Sequence, residues 1–212
     1  MKVLELFAGS RSIGKVAEEL GMEVFSSDIT PFENIDYVVD ILEFDYDKVP
    51  FQPDIIWASP PCTGFSVAAL GHHWTGGKGA YIPKTDTARL GIAIAKKTIE
   101  IIEHYKPKYW FIENPRGMLR KMDFMQDFKR FSVSYCQYGD SRMKPTDIFG
   151  NTSDWIPRPM CKNGDPCHIA APRGSKTGTQ GLKGSYERSK IPYELCKEVL
   201  ESCITDKYKG LF

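Results

Sequence analysis

A chain of 212 residues with 42% hydrophobic and 26% charged side chains has the size and composition of one globular domain with a full core. Its formal net charge is only +1. No apolar stretch approaches the roughly 20 residues that span a bilayer, and no N-terminal signal sequence is seen, so we expect a cytoplasmic protein with no membrane partner. The six cysteines are irregularly spaced, which predicts reduced thiols and not a disulfide framework.

Short apolar runs alternate with segments of helical periodicity along the chain. Residues 3–7 (VLELF) predict a strand, and the apolar positions from Ile13 to Leu20 predict a helix that stops at Gly21. Further strands are predicted at residues 23–26, 37–39, 55–58, 109–112 and 132–135, with a long helix at 87–105. Apolar strands separated by helices predict an α/β fold with a doubly wound, mostly parallel sheet.

Distinctive residues follow five of these predicted strands. In chain order they are Gly9, Asp28, Asp40, Cys62 and Glu113. Ligands of doubly wound sheets bind beyond the carboxyl ends of the strands, where a glycine lets a ligand approach the backbone and a carboxylate suits a ribose diol. The first turn lacks a full Gly-x-Gly-x-x-Gly, which favours a nucleoside cofactor without a pyrophosphate. Each residue taken singly also fits an ordinary turn or helix cap.

Cys62 lies in residues 59–66 (SPPCTGFS), directly after a predicted buried strand. The two prolines fix the backbone and remove two amide donors, which suits a rigid turn that presents a reactive thiol. A buried structural cysteine is the alternative.

Taken together and in this order, the motifs resemble those of the cytosine C5 DNA methyltransferase family, most of all its compact phage and prophage members. The matching residues are 6–9 (LFAG), Asp28, 40–41 (DI), 60–66 (PPCTGFS) and 113–115 (ENP). A weaker match is Tyr138-Gly139 followed by Arg142, Lys144 and Thr146, where the family has a glutamine and two arginines. The resemblance implies the class I S-adenosylmethionine-dependent methyltransferase fold and S-adenosyl-L-methionine as cofactor.

The resemblance also implies a role for each matched residue. Cys62 would add as a thiolate to C6 of cytosine, and the protonated form of Glu113 would bind N3 and the exocyclic amine. Asn114 and Pro115 would hold the Glu113 loop, and Arg142 and Lys144 would anchor the base or a phosphate, unless they form a solvated loop. Expected cofactor-binding residues are Phe7, Ala8, Gly9, Ser10, Asp28, Ile29, Asp40, Ile41 and Pro60. Expected substrate-binding residues are Pro61, Phe65, Ser66, Pro115, Arg173 and Lys176.

The resemblance divides the chain into a catalytic domain (1–150), a very small recognition segment (151–184) and a C-terminal segment (185–212) that returns to the catalytic domain. Residues 156–190 carry seven basic and two acidic side chains, whereas residues 1–60 carry four basic and twelve acidic ones. DNA phosphates would therefore bind the later part, unless it is simply a solvated basic loop. The target base would be flipped or single stranded, and residues 67–85 would form the mobile loop that contacts it through His72, His73, Trp74, Lys78 or Lys84.

Cys161, Cys167 and His168 are candidate zinc ligands in the recognition segment, with Cys136 or Asp165 as a fourth. Their spacing does not match paired Cys-x2-Cys motifs, so we expect no metal.

Several alternatives stay open at this point. The substrate could be RNA or a free nucleotide, because the recognition segment is so short, or the chain could be a catalytically weak DNA-binding accessory protein. A partner protein could supply target recognition. An amino methyltransferase is disfavoured, because its motif would place an aromatic residue at Cys62. We expect the protein in a bacterial or phage-infected cell, in restriction and modification of DNA.

Overall fold

The computed structural model describes residues 1–67, 70–77, 80–152, 154–170 and 184–206. Its strands are, in chain order, β1 (Lys2–Leu6), β2 (Glu23–Asp28), β3 (Tyr37–Val38), β4 (Ile55–Ala58), β5 (Trp74–Thr75), β6 (Ile82–Pro83), β7 (Tyr109–Pro115), β8 (Arg130–Ser134) and β9 (Pro145–Gly150). Its helices are α1 (Ser12–Glu19), α2 (Leu70–His73), α3 (Asp86–Tyr105), α4 (Ser185–Ser189) and α5 (Tyr193–Asp206).

Seven strands form one sheet in the order β3-β2-β1-β4-β7-β9-β8, and β5 pairs with β6 in a separate hairpin. The first five strands of that order are parallel to one another, while β9 is antiparallel to both of its neighbours. The predicted doubly wound, mostly parallel sheet is therefore confirmed. Strand β9 is not among the predicted strands; it begins with a proline and contains the buried Asp147.

Successive side chains of β1 point to opposite faces of the sheet and pack in two separate hydrophobic cores. Val3 joins the core under α1 and α5, together with Trp57 and Leu195, whereas Leu4 and Leu6 join the core under α3. A covered parallel sheet buries both faces of its strands, which explains why β1 reads as apolar almost throughout.

Glu5 is the exception in β1, and it fixes the start of α1. Its carboxylate is buried and accepts hydrogen bonds from the amides of Ile13 (3.1 Å) and Gly14 (3.0 Å). These are amides of the first turn of a helix, which have no partner within the helix. Burial raises the pKa of Glu5 to about 7, although the two amides and Arg11 act in the opposite direction.

The C-terminal segment returns to the first helix. Its α5 packs against α1, and the amide of Ile191 donates a hydrogen bond to Ser12 Oγ at 3.1 Å. The far end of the chain thereby supports the loop that follows β1. In the part of the chain that the structure describes, no helix is both long and apolar enough to cross a membrane.

Candidate active site

The loops after β1 and β2 are joined at the carboxyl edge of the sheet. Gly9 has a φ of +50°, and its amide donates to Asp28 Oδ2 at 2.9 Å. The other oxygen of Asp28 accepts from the amide of Thr30 at 2.8 Å. A positive φ favours glycine, and a Cβ at Gly9 would come within 4.0 Å of Asp28 Oδ2. The half-buried carboxylate of Asp28 keeps lone pairs that can accept from a ribose hydroxyl.

A cavity of about 410 Å³ opens beside this junction. Of the predicted cofactor residues, Gly9 and Ser10 line it. Its far wall comes from residues that the sequence analysis did not select, and Phe32 and Tyr186 face each other there with ring centroids 5.3 Å apart. The remaining lining residues are Lys15, Glu33 and Asn34. The volume, the aromatic wall and the nearby carboxylate fit a nucleoside such as that of S-adenosylmethionine.

The other predicted cofactor residues lie around the same edge. Asp40 is exposed and accepts from the amide of Leu42 at 3.0 Å, which starts a short 3-10 helix after β3. Ile41 is buried in the core, whereas Ile29 is 65% exposed. Phe7 is half-buried and has a φ of +57°, so the chain turns sharply where β1 ends.

The Cys62 loop follows β4, and its own hydrogen bonds close it into a tight turn. The carbonyl of Cys62 accepts from the amides of Phe65 and Ser66, both at 2.9 Å. Phe65 has no exposed surface, because its ring stacks on Trp74 with centroids 6.1 Å apart. The indole of Trp74 donates to the carbonyl of Gly64 at 2.6 Å. Phe65 and Trp74 therefore pack beneath the loop, and a contact of either side chain with substrate stays a prediction.

The remainder of the predicted base-contacting loop is also bonded to itself. His73 is buried and its Nδ1 lies 2.7 Å from Thr85 Oγ1, while Lys84 donates to the carbonyl of Gly71 at 2.7 Å. His72 is exposed, and Lys78 lies outside the described residues.

The end of β7 is tied directly to the Cys62 loop. Asn114 Nδ2 donates to the carbonyl of Pro60 at 2.9 Å, and the amide of Met118 donates to the carbonyl of Phe65 at 2.7 Å. A side chain at Gly117 would overlap that same carbonyl oxygen. Hydrogen bonds thus join the loop after β4 to the end of β7 and the turn that follows it.

Glu113 is held by a residue that the sequence analysis did not select. Its carboxylate is 5% exposed, and Oε1 accepts from the hydroxyl of the fully buried Tyr135 at 2.7 Å. The ammonium of Lys144 lies 4.4 Å from the centre of the Tyr135 ring and donates to the carbonyl of Arg188 at 3.1 Å. The only sequence signal for Tyr135 was its place at the end of a predicted strand.

Charges around the thiol act in opposite directions. Burial raises the pKa of Cys62 above its usual value, and the charge of Glu113 raises it further, while Lys144 and Arg188 lower it. Burial also lowers the pKa of Lys144, against the opposing charge of Glu113. The free protein therefore holds Cys62 as a thiol, with two cations placed to stabilise a thiolate.

Arg142 lies beside this group and shares the carbonyl of Arg188 with Lys144. It is 4% exposed and forms a bidentate ion pair with Asp140, and Nη1 donates to the carbonyl of Arg188 at 3.1 Å. With its donors taken up in this way, Arg142 links the turn before β9 to the C-terminal segment. Its predicted role in anchoring the base or a phosphate stays a prediction.

The remaining predicted substrate residues are distributed as follows. Pro61 is exposed, and Ser66 and Pro115 are half-buried at the same edge of the sheet. Arg173 and Lys176 lie outside the described residues.

The strand order and the site at the carboxyl edge define a class I methyltransferase fold of the kind that uses S-adenosylmethionine. Residues 1–134 match the family model described as C-5 cytosine-specific DNA methylase, so the chain belongs to that family, whose enzyme class is DNA (cytosine-5-)-methyltransferase. The chain is 29% identical to a probable DNA (cytosine-5)-methyltransferase of Frog virus 3, over 96% of this chain and 100% of that relative.

A solved structure supports the fold. It is a putative DNA modification methyltransferase encoded within a prophage of E. coli, with a TM-score of 0.53 and 17% identity. The match covers 92% of this chain and 66% of that one.

Proposed function

We propose that this protein transfers a methyl group from S-adenosylmethionine to C5 of cytosine in DNA, through a covalent bond between Cys62 Sγ and C6 of the base. The observation that carries the proposal is the hydrogen bond between the Cys62 loop and the end of β7. This link places Glu113 close enough to Cys62 for its carboxylate charge to raise the pKa of the thiol. A nucleophile beside a carboxylic acid is what activation of a cytosine ring requires.

The chemistry divides among residues of this chain. After the Cys62 thiol loses its proton to solvent, its sulfur bonds to C6, the electron pair of the C5–C6 bond becomes available at C5, and N3 takes the proton that Glu113 carries in its protonated form. The bound cofactor supplies the electrophilic methyl group that C5 takes up. A solvent base then takes the C5 proton, N3 returns its proton to Glu113, and the restored C5–C6 double bond expels the Cys62 thiolate, which Lys144 and Arg188 stabilise.

Cofactor binding is assigned to the cavity beside the Gly9 and Asp28 junction. Asp28 would accept from the ribose hydroxyls, and Phe32 and Tyr186 would cover the nucleoside. Tyr186 comes from the C-terminal segment, which supports the predicted role of that segment in closing the pocket. The domain boundaries at residues 150 and 184 stay predictions.

The test is product analysis with labelled cofactor. Protein incubated with tritiated S-adenosylmethionine and duplex DNA should yield 5-methylcytosine, and Cys62→Ala should reduce the yield at least about a thousandfold. Cys203→Ala is the matched control, because it removes a buried thiol from α5. Label on an exocyclic amine would contradict the proposal.

DNA is favoured over RNA or free nucleotide by the family to which the chain belongs. RNA or free nucleotide is the second candidate, because residues 151–184 leave little chain for sequence recognition. Competition among DNA, RNA and deoxycytidylate for methyl transfer distinguishes them. A partner protein for recognition, a role in restriction and modification, and a cytoplasmic location in a bacterial or phage-infected cell stay predictions.

A further inference from the structure

Four possible metal ligands from two separate segments meet beside the end of β8. Cys136 belongs to the 3-10 turn after β8, and Cys161, Cys167 and His168 belong to the segment after β9. One ligand atom from each of these four residues lies within 4.8 Å of all the others.

The distances among these atoms suit a tetrahedral ion. Cys136 Sγ lies 3.0 Å from Cys161 Sγ and 3.5 Å from Cys167 Sγ, and His168 Nδ1 lies 3.8 Å and 3.6 Å from the sulfurs of Cys161 and Cys167. Zinc bonds of about 2.3 Å to sulfur and 2.0 Å to nitrogen place tetrahedral ligand atoms about 3.5–3.8 Å apart. A small movement of Cys136 and Cys161 away from each other would complete the geometry.

The surroundings favour a closed site. Cys136 and Cys161 are buried, and Cys167 and His168 are half-buried. Three thiols and an imidazole packed together make only weak hydrogen bonds to one another, whereas all four are preferred ligands of zinc.

We propose that Cys136, Cys161, Cys167 and His168 bind one structural Zn²⁺ ion. This proposal reverses the expectation from spacing that no metal is bound. It also selects Cys136 over Asp165 as the fourth ligand, because Asp165 Oδ2 accepts from the amide of Lys162 at 2.6 Å and so closes the turn between Cys161 and Cys167. Four protein ligands leave no open position, which is typical of a structural site.

The ion would hold the short recognition segment against the catalytic domain. Residues 155–158 already attach this stretch, because Trp155 is buried in the core and Arg158 donates to the carbonyl of Gln137 at 2.6 Å. Beyond them, the amide of Cys161 donates to Ser134 Oγ at 3.3 Å, and the amide of Ile169 donates to the carbonyl of Ser141 at 2.9 Å. A segment this short cannot form a hydrophobic core of its own, so metal binding can supply its folding energy. Cys136 also directly follows Tyr135, whose hydroxyl holds Glu113.

Metal content of the full chain, purified without chelators, tests the proposal. We expect about one zinc per chain, with Cys167→Ser and His168→Ala each falling below about 0.2 equivalents. Asp165→Asn and Cys203→Ala are matched controls that should keep the metal. The assignment would be overturned if the wild-type chain held less than about 0.2 equivalents of zinc even after refolding with added zinc. It would also be overturned if Asp165→Asn lost zinc and a Cys136→Ser variant did not.

Cobalt substitution keeps the test valid if a ligand variant fails to fold. The wild-type chain loaded with Co²⁺ should show the visible bands of a tetrahedral ion and charge transfer from thiolate, and X-ray absorption of the zinc form should give three sulfur neighbours and one nitrogen. An octahedral cobalt spectrum would contradict the site. Both measurements are made without DNA or S-adenosylmethionine, so their outcome is independent of the proposed methyl transfer.

Discussion

One added methyl group at Gly117 should lower the rate of catalysis strongly while it lowers the stability of the fold only moderately. It follows β7, and a Cβ there would overlap the carbonyl oxygen of Phe65, which already accepts from the amide of Met118 at 2.7 Å. Gly117→Ala must therefore push the Cys62 loop away from the end of β7. Losing one buried backbone hydrogen bond costs about 1–3 kcal/mol, which lowers Tm by roughly 2–12 °C in a protein of this size.

The effect on catalysis should be larger than the effect on stability. A displacement of about 1 Å at a reacting group costs about a hundredfold in rate, so kcat should fall by that order while the protein remains folded. Gly71→Ala is the matched control, because a Cβ at Gly71 meets nothing within 4 Å. Methyl transfer rates and thermal unfolding of both variants provide the measurement. If Gly117→Ala keeps a kcat within about threefold of wild type, the contact at Gly117 does not position the Cys62 loop for catalysis.

Three further predictions concern charges at the same edge of the sheet. Lys144→Met should raise the pKa of Cys62 and Glu113→Gln should lower it. Alkylation by iodoacetamide below that pKa should therefore slow in the first variant and speed up in the second, by roughly threefold per pKa unit, because a thiolate of lower pKa is also a weaker nucleophile. A change in the same direction in both variants would contradict the charge arrangement. Because the folded pKa of Glu5 is raised from 4.5 to about 7, its stabilisation is complete below pH 4.5 and is lost as the pH rises to about 7. That loss amounts to about 3 kcal/mol, and urea unfolding should show the slope in wild type but not in Glu5→Gln. Asp28→Ala should weaken S-adenosylmethionine binding in calorimetry by about tenfold or more, and unchanged affinity would move the cofactor elsewhere.

Much of the fold follows from local sequence. The apolar runs that became β1 and β4 and the periodicity that became α3 are set by short-range patterns, which the sheet and helix then satisfied. Strand β9 was not predicted because a proline and Asp147 break its apolar pattern. Asp147 is buried only because it pairs with Arg120 and accepts from Ser132 Oγ at 2.8 Å, and neither partner is close in sequence.

Site residues that belong to a sequence motif could be predicted. Residues whose burial or contacts depend on partners distant in sequence were harder to predict. Cys62, Glu113 and Asn114 stand at strand ends as the sequence indicated. Phe65 has a place in the motif, but its side chain is fully buried in the core and stacks on Trp74. The metal-ligand cluster depends on Cys136, which is 25 residues before Cys161 and reaches it only because β9 turns the chain back along β8. Such long-range pairings cannot be read from spacing alone.

The most direct test of the central claim is trapping on DNA that contains 5-fluorocytosine. Fluorine at C5 blocks the final elimination, so the enzyme should remain bound to the base through Cys62 after methyl transfer. We predict a denaturation-resistant complex that requires S-adenosylmethionine, with the cross-linked peptide containing Cys62, and no such complex with Cys62→Ala. A protein that methylates DNA without forming this complex, or that forms it through another cysteine, would contradict the account.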